Sequence, residues 1–244
     1  MKQTLQIIYS VYAWTVISVT TILSAISIIL VSVLLRPFDP DRRAAGRVAY
    51  LWGLSIIAAN PTWKLKIQGR GYIREGKGYV LVANHMSFGD IICLYCIERH
   101  FKWVAKESLF SVPFFGWAMS ALGYIPLRRG EHGSIRDSFR QSIGWLNREM
   151  SVLIFPEGTR SVTGKMGAFK NGAFKLAIQT KRPIVPIVLT GTRDAIKKGS
   201  MMFAVTPRCK MKVLKPIPTA GYRENQFAEL RDLVRSKMLE AAEG

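Results

Sequence analysis

Two histidines of this sequence precede an aspartate by five residues, with a serine between them. The pattern H-x-S-x-x-D occurs in NHMSFGD, where His85 precedes Asp90, and in HGSIRD, where His132 precedes Asp137. A histidine that is hydrogen-bonded to a carboxylate can act as a general base near neutral pH, because the ordinary pKa of its side chain is about 6.5. The chain has 3 histidines in total. Each pair is therefore a candidate for proton transfer.

The position of His85 favours the first pair. Five residues turn a helix by about 500°, so the two side chains meet only if the histidine ends a strand and the aspartate lies in the first turn of the next helix. The segment GYVLVAN at 78–84 predicts a buried strand before His85, with Ser87 as helix N-cap and Asp90 as the third helical residue. We therefore predict a catalytic pair at the carboxyl end of a strand. A plain helix cap, in which Asp90 only binds backbone N–H groups, is the alternative.

The second pair is interpreted as surface structure. His132 follows the charged loop RRGE rather than an apolar strand. On the predicted helix, Asp137 lies about 200° from Ile135 and Phe139, which face the core. Asp137 then faces solvent, where it can cap the helix with Ser134 or pair with Arg140.

The string FPEGTR carries a second set of polar side chains at the end of an apolar strand. Gly158 allows a tight turn, and Thr159 and Arg160 follow it. The planar guanidinium of Arg160 suits a phosphate, and Glu157 can pair with a basic group or hold that arginine in place. A solvated Glu–Arg pair of little energetic value is the alternative.

Three further cations follow predicted strands. Lys106 ends FKWVAK, and Arg128 and Arg129 end GYIPLRR. Each is a candidate anion ligand, although a solvated surface cation is an equally good explanation in a chain this basic.

Apolar patterning predicts the fold that positions these residues. Strands alternate with helices, which indicates an α/β fold with a mixed, largely parallel sheet flanked by helices. We assign residues 61–244 to one catalytic domain. The predicted strands lie at 63–67, 78–84, 101–106, 123–129, 151–160, 183–191 and 210–217, the last as an edge strand, and the predicted helices at 91–97, 113–122, 135–150, 172–180 and 227–238.

The N-terminal segment predicts a membrane anchor. Residues 7–35 contain no charge and are long enough to cross a bilayer, which takes about 20 apolar residues. A second apolar stretch at 48–59 is short, and suits an interfacial helix or a core helix. We interpret residues 1–60 as a two-helix membrane module.

Charge and cysteine content narrow the partners. Residues 1–35 hold one lysine and no acid, so the remainder carries 18 of the net charge of +19. Beside a hydrophobic anchor, this charge favours anionic membrane lipids over nucleic acid and places the catalytic domain on the cytoplasmic face, of the inner membrane in a bacterium. Cys93 and Cys96 lie in an apolar run without further metal-ligand motifs, so we expect buried free thiols and no metal.

Four blocks in order show a resemblance to a known family. The sequence resembles the glycerolipid acyltransferases, specifically those acting on 1-acyl-glycerol-3-phosphate, and the N-terminal membrane module also fits that family. The blocks span residues 84–189 and read NHMSFGD, GYIPLRR, FPEGTRS and RPIVPIVL.

The resemblance implies a reaction. An acyl group would pass from acyl carrier protein or coenzyme A to the sn-2 hydroxyl of 1-acyl-glycerol-3-phosphate (lysophosphatidic acid), giving phosphatidic acid for phospholipid synthesis without a further cofactor. It implies that His85 is the general base and Asp90 its orienting carboxylate. The residues it implies at the glycerophosphate are Glu157, Gly158, Thr159, Arg160 and Arg128, with Lys106 less firmly placed; Arg129 is an open alternative to Arg128, and the block from Pro183 to Pro186 would shape the acyl side.

Three other functions stay open. A related enzyme would acylate glycerol-3-phosphate or another lysophospholipid. A hydrolase would use the same histidine and aspartate without an acceptor lipid. A non-enzymatic basic membrane- or nucleic-acid-binding module would explain the charge but not the four ordered blocks.

Overall fold

The computed structural model describes residues 2–196 and 199–243. Within them the chain alternates between helices and strands, as predicted. The helices are α1 Lys2–Leu34, α2 Arg43–Ala59, α3 Gly89–Tyr95, α4 Phe115–Ala121, α5 His132–Asn147, α6 Gly172–Thr180, α7 Thr192–Ala195 and α8 Phe227–Glu243. The strands are β1 Lys64–Gln68, β2 Val80–Ala83, β3 Phe101–Lys106, β4 Ile125–Leu127, β5 Ser151–Ile154, β6 Ile184–Thr190 and β7 Arg208–Val213.

The strands form one mixed sheet in the order β1-β7-β6-β2-β5-β3-β4. The five strands from β6 to β4 run parallel, β7 is antiparallel to β6, and β1 is parallel to β7. The predicted fold class is confirmed. All four residues of β2 are buried, as expected for a central strand covered on both faces.

The structure corrects the predicted place of one strand and the predicted start of one helix. Strand β7 is not an edge strand, because it pairs with β1 on one side and β6 on the other. The alternating cations of β7 indicate that one face of the strand is solvated. An internal strand in the antiparallel part of a sheet can also have such a face, so the pattern does not identify an edge strand. Helix α5 begins at His132 rather than Ile135, since the polar residues before the apolar stripe already take up helical conformation.

Each face of the sheet has its own layer of helices. Along β2, the side chain of Leu81 points to one face and those of Val80 and Val82 to the other. The first face is covered by α1, α2, α3 and α4, and the second by α5, α6 and α8. The catalytic candidates lie at the carboxyl ends of central strands, between these two apolar layers.

The N-terminal helices pack on the first face. Helix α1 contains the one segment, among the described residues, that is long and apolar enough to cross a membrane: Gln3–Leu34, with a mean hydropathy of 2.5. Helix α2 lies between α1 and α3; Trp52 donates a 3.0 Å hydrogen bond to Thr21, and Ile56 is fully buried. The second apolar stretch thus forms a core helix between α1 and the sheet domain. The division into domains at residue 60 stays a prediction.

Candidate active site

The carboxyl end of β2 is held by a buried asparagine. Asn84 follows the strand, and its side-chain amide donates to the carbonyl of Leu189 at 2.9 Å and accepts from the Leu189 N–H at 2.7 Å. These bonds tie the end of β2 to β6, so the backbone that delivers His85 has a defined position. The sequence shows Asn84 inside the motif, but nothing in the pattern indicates this anchoring role.

His85 and Asp90 form the predicted pair. The Nδ1 atom of His85 lies 2.8 Å from Oδ2 of Asp90, whose side chain is fully buried. The same oxygen accepts backbone N–H bonds from Met86 at 2.6 Å and Ser87 at 2.8 Å. Capping and pairing are therefore not alternatives, because one carboxylate oxygen does both. With Nδ1 directed at Asp90, Nε2 is the ring nitrogen left to accept a proton from a substrate.

The start of α3 differs from the prediction. The helix begins at Gly89 with Phe88 at the N-cap position, so Asp90 is the second helical residue and Ser87 precedes the cap. The buried Ser87 hydroxyl donates to the carbonyl of Thr192 at 2.7 Å and accepts from the Gly89 N–H at 3.0 Å. The shift reflects the loop from Met86 to Phe88, which wraps around the carboxylate instead of entering the helix directly.

One face of the His85 ring packs against an aromatic side chain. Phe155, the residue after β5, stacks on it with 4.0 Å between ring centroids and 11° between planes. The His85 side chain is 16% exposed. The ring is thus confined on one face, with an opening that a substrate can reach.

The loop after β5 forms hydrogen bonds with the backbone of His85. One carboxylate oxygen of the buried Glu157 accepts the His85 N–H at 2.8 Å, and the other accepts the Gly167 N–H at 2.8 Å. The Ser161 N–H donates to the His85 carbonyl at 2.8 Å. Gly158 has a φ of +70°, which allows the turn between these contacts. The structure therefore adds a positioning role for Glu157, whose predicted contact with a glycerophosphate stays a prediction.

His85 opens into a cavity of about 140 Å³ on the first face of the sheet. Lys106, Arg129 and Gly158 line this cavity with the histidine. Most of the remaining wall is apolar and comes from α3, β3, the turn after β3 and α4, with Ile91, Tyr95, Trp103, Leu109, Phe115 and Met119 among its side chains. A hydrophobic body with an anionic end suits such a cavity.

The structure separates the two neighbouring arginines. Arg129 lines the cavity, whereas the 60% exposed side chain of Arg128 pairs with Glu107 at 2.5 Å and Glu131 at 2.8 Å. Of the two arginines, Arg129 lines the cavity beside His85, and the contact of either with a glycerophosphate stays a prediction.

The other predicted residues lie close by or apart. Thr159 and Arg160 occupy the loop between Gly158 and Ser161, next to the His85 backbone, and the half-buried Arg160 has an interaction partner. His132 begins α5 on the surface, and Asp137 pairs with Arg140 at 2.8 Å, as predicted, with both side chains more than half exposed. The second H-x-S-x-x-D copy is therefore surface structure.

Sequence reasoning missed one cation near the site. The side chain of Lys170 lies over Gly158, where an added Cβ would meet its Cε at 3.1 Å. No strand end or motif marks Lys170 in the sequence.

The free thiols of Cys93 and Cys96 are buried, as predicted. Across residues 2–196 and 199–243, no group of three His, Cys, Asp or Glu side chains has the arrangement of a metal site.

The family model for acyltransferases matches residues 64–190, just over half of the chain. The matched segment runs from β1 to β6 and contains His85, Asp90 and the loop after β5. The chain belongs to the acyltransferase family. The resemblance seen in the four sequence blocks is confirmed.

Related proteins extend this acyltransferase assignment. Arabidopsis thaliana 1-acyl-sn-glycerol-3-phosphate acyltransferase LPAT1, chloroplastic, is 37% identical over 182 residues, which are 74% of this chain and 51% of that protein. The 1-acyl-sn-glycerol-3-phosphate acyltransferase alpha of Ovis aries is 33% identical over 196 residues, 79% of this chain and 64% of that protein. The acyltransferase thus spans between half and two thirds of these relatives.

A solved structure has the same fold. The crystal structure of the 1-acyl-sn-glycerophosphate (LPA) acyltransferase PlsC from Thermotoga maritima aligns with a TM-score of 0.84 at 23% identity, over 100% of this chain and 98% of that chain. The likeness therefore includes the two N-terminal helices of this acyltransferase.

Proposed function

We propose that this acyltransferase transfers a fatty acyl group from an acyl thioester to the sn-2 hydroxyl of lysophosphatidic acid, giving phosphatidic acid. The observation that carries the proposal is the His85–Asp90 pair on the wall of an apolar cavity that also presents Lys106 and Arg129. The relatives named as 1-acyl-sn-glycerol-3-phosphate acyltransferases support this choice of acceptor.

Nε2 of His85 takes the proton of the sn-2 hydroxyl as the hydroxyl oxygen bonds to the thioester carbonyl carbon. The tetrahedral intermediate then collapses, the C–S bond breaks, and the sulfur leaves as a thiol with the proton from the imidazolium. Asp90 orients the ring and stabilises the imidazolium while it exists. General-base assistance of this kind contributes about 10²–10⁴ in rate, so substrate positioning supplies much of the remainder. The reaction needs no cofactor besides the acyl donor.

A covalent acyl-enzyme on Ser87 is disfavoured by its contacts. The hydroxyl is fully buried and is committed to Thr192 and Gly89. A nucleophile must be free to approach the carbonyl carbon. We therefore infer direct transfer between the two substrates.

Lys106, Arg129 and Arg160 would hold the phosphate and thereby place the sn-2 hydroxyl beside Nε2 of His85. A phosphate accepts strong charge-assisted hydrogen bonds from such groups. Gly158 borders the same space, Thr159 follows it in the loop, and Arg128 acts at most from outside the cavity. Glu157 contributes by holding His85 and the loop rather than by touching an anion.

Membrane association would bring the enzyme to its lipid substrate. The exposed side chains of α1 are mostly apolar and suit lipid, and the excess of Lys and Arg after the helix favours anionic lipids and a cytoplasmic catalytic domain. The apolar wall formed by α3 and α4 suits an acyl chain. The donor would be acyl carrier protein or coenzyme A, both anionic and therefore attracted to a chain of net charge +19.

The test is acyl transfer by the purified protein in mixed micelles, with lysophosphatidic acid and both donors. We expect His85→Ala and Asp90→Asn to lose most activity, with a rate loss of about 10²–10⁴ for His85→Ala. His132→Ala, which changes the surface copy of the motif, serves as the matched control and should keep full activity. Near-normal transfer by His85→Ala would refute the mechanism.

The acceptor is tested with the same preparation. Faster acylation of glycerol-3-phosphate or lysophosphatidylcholine than of lysophosphatidic acid would identify another acceptor. Release of free fatty acid at the same rate without any acceptor would identify a hydrolase instead.

A further inference from the structure

A second cavity of about 280 Å³ lies on the other face of the sheet, between α5 and α6. It is open to solvent, and Ile135 and Phe139 of α5 and Leu176 of α6 form part of its wall. Ile135 is 45% exposed there. A concave, mostly apolar wall beside a catalytic cavity is the kind of surface that binds a small ligand.

A gap between two strands brings this cavity to the active site. Strand β3 pairs with β5 from Phe101 to Trp103, and its last three residues pair with β4 on the other side. Beyond Trp103 and Leu153, no ladder pair joins β3 to β5 among the described residues, so the sheet splits at this point. The two cavities consequently share the residues around the split, which are Val104, Leu127, Arg129, Ile154, Phe155 and Gly158.

The second cavity combines a mostly apolar wall with a few polar groups. The buried hydroxyls of Ser138 and Ser142 donate to carbonyls of their own helix at 2.9 and 2.7 Å, so their oxygen atoms remain able to accept hydrogen bonds. Lys170 and Arg129 add two positive charges to the wall. The cavity therefore suits an elongated anionic ligand that carries both methylene groups and hydrogen-bonding groups.

The location of the second cavity favours the acyl donor over the lipid acceptor as its ligand. Helix α1, which we place in the membrane, covers the opposite face of the sheet. A ligand between α5 and α6 therefore enters from the aqueous side. The lipid acceptor would enter from the membrane, whereas an acyl thioester donor arrives in water on a phosphopantetheine arm.

We propose that the second cavity binds the phosphopantetheine arm of the acyl donor and delivers its thioester to His85 through the split between β3 and β5. This inference rests on the proposed function and names the donor side of the same site. The apolar part of the first cavity is then left for the acyl chain, and the two substrates meet at the residues shared by both cavities.

Gly172 allows a direct test. It lines the second cavity only, and an added Cβ meets no atom within 4 Å, so Gly172→Trp can cover the cavity without disturbing the backbone. Gly144 of α5 is equally open and lines neither cavity, which makes Gly144→Trp the matched control. We expect Gly172→Trp to raise the KM for acyl-coenzyme A by at least about tenfold, a loss of one factor of ten in affinity. Gly144→Trp should leave the KM unchanged.

A truncated donor separates the arm from the acyl chain. With an acyl ester of thioethanol, which has no pantetheine arm, Gly172→Trp should transfer acyl groups as fast as the wild type. Lys170→Gln should raise the KM for acyl-coenzyme A by about threefold, as for a solvent-accessible charge contact. An equal loss with both donors, or a raised KM for lysophosphatidic acid alone, would overturn the proposal.

Binding without turnover keeps this inference separate from the proposed function. Calorimetry with S-hexadecyl-coenzyme A, which cannot transfer its chain, should show weaker binding to Gly172→Trp than to the wild type or Gly144→Trp. Equal binding to all three proteins would exclude the second cavity. If the wild type does not acylate lysophosphatidic acid yet these affinities differ as expected, the proposed function fails and the donor site stands.

Discussion

Replacing Glu157 by glutamine tests whether this residue positions the catalytic histidine or contacts the substrate. The carboxylate accepts two backbone N–H groups, from His85 and Gly167, each at 2.8 Å. Glutamine has the same shape but one acceptor oxygen, so one of these N–H groups would face an amide NH2 instead. Because a hydrogen bond to a charged group contributes about 1.5–3 kcal/mol and a buried unpaired N–H is itself unfavourable, we expect the free energy of unfolding to fall by about 2–4 kcal/mol.

The same change should slow the reaction more than it weakens binding. Without its bond to Glu157, the His85 backbone can move, and a displacement of about 1 Å at a catalytic group lowers the rate about 10²-fold. We therefore expect kcat of Glu157→Gln to fall by about ten- to a hundredfold, with the KM for lysophosphatidic acid within about threefold of the wild type. A direct substrate contact made equally in ground and transition states would instead raise KM.

Two measurements decide this, namely urea unfolding in detergent solution and steady-state acyl transfer. Glu131→Gln is the control, since Glu131 is 48% exposed and pairs with a surface arginine. Its unfolding free energy should stay within about 0.5 kcal/mol of the wild type. A stable Glu157→Gln enzyme with unchanged kcat and a raised KM would show that the positioning argument is wrong.

Two further predictions concern cations. Arg129→Ala should lower kcat/KM for lysophosphatidic acid by about ten- to a hundredfold, because it removes a charge-assisted contact. Arg128→Ala should change kcat/KM little. A larger loss in Arg128→Ala than in Arg129→Ala would reverse the assignment. Burial, with a smaller contribution from Arg42, lowers the pKa of Lys102 to about 7 from its ordinary 10.5, so between these values the unfolded chain binds more protons and stability rises with pH. Lys102→Met should flatten this rise between pH 7 and 10 in urea unfolding, while the exposed Lys215→Met should not, and equal slopes for all three proteins would contradict the argument.

Local patterns determined the order of the elements and the identity of the catalytic pair. The buried strand before His85, followed at once by a helix, leaves Asp90 within reach of the ring through a loop of three residues, so this contact is short-range and readable from the sequence. The same holds for the uncharged run at 7–35 and for the stripe along α8, where Leu230, Val234 and Met238 are all buried. Such features depend on residues that are neighbours in the chain.

Long-range pairing decided the rest. Which arginine faces the cavity follows from where β4 lies against β3, and the position of β7 between β1 and β6 follows from the strand order of the whole sheet. The contacts of Glu157 and Asn84 join segments 72 and 105 residues apart, so no spacing in the sequence reports them. The second cavity meets the first where the pairing of β3 with β5 ends, just beyond Trp103 and Leu153. The periodicity of a segment shows which of its faces is buried. It does not show which distant segment packs against that face, and only the assembled sheet determines this.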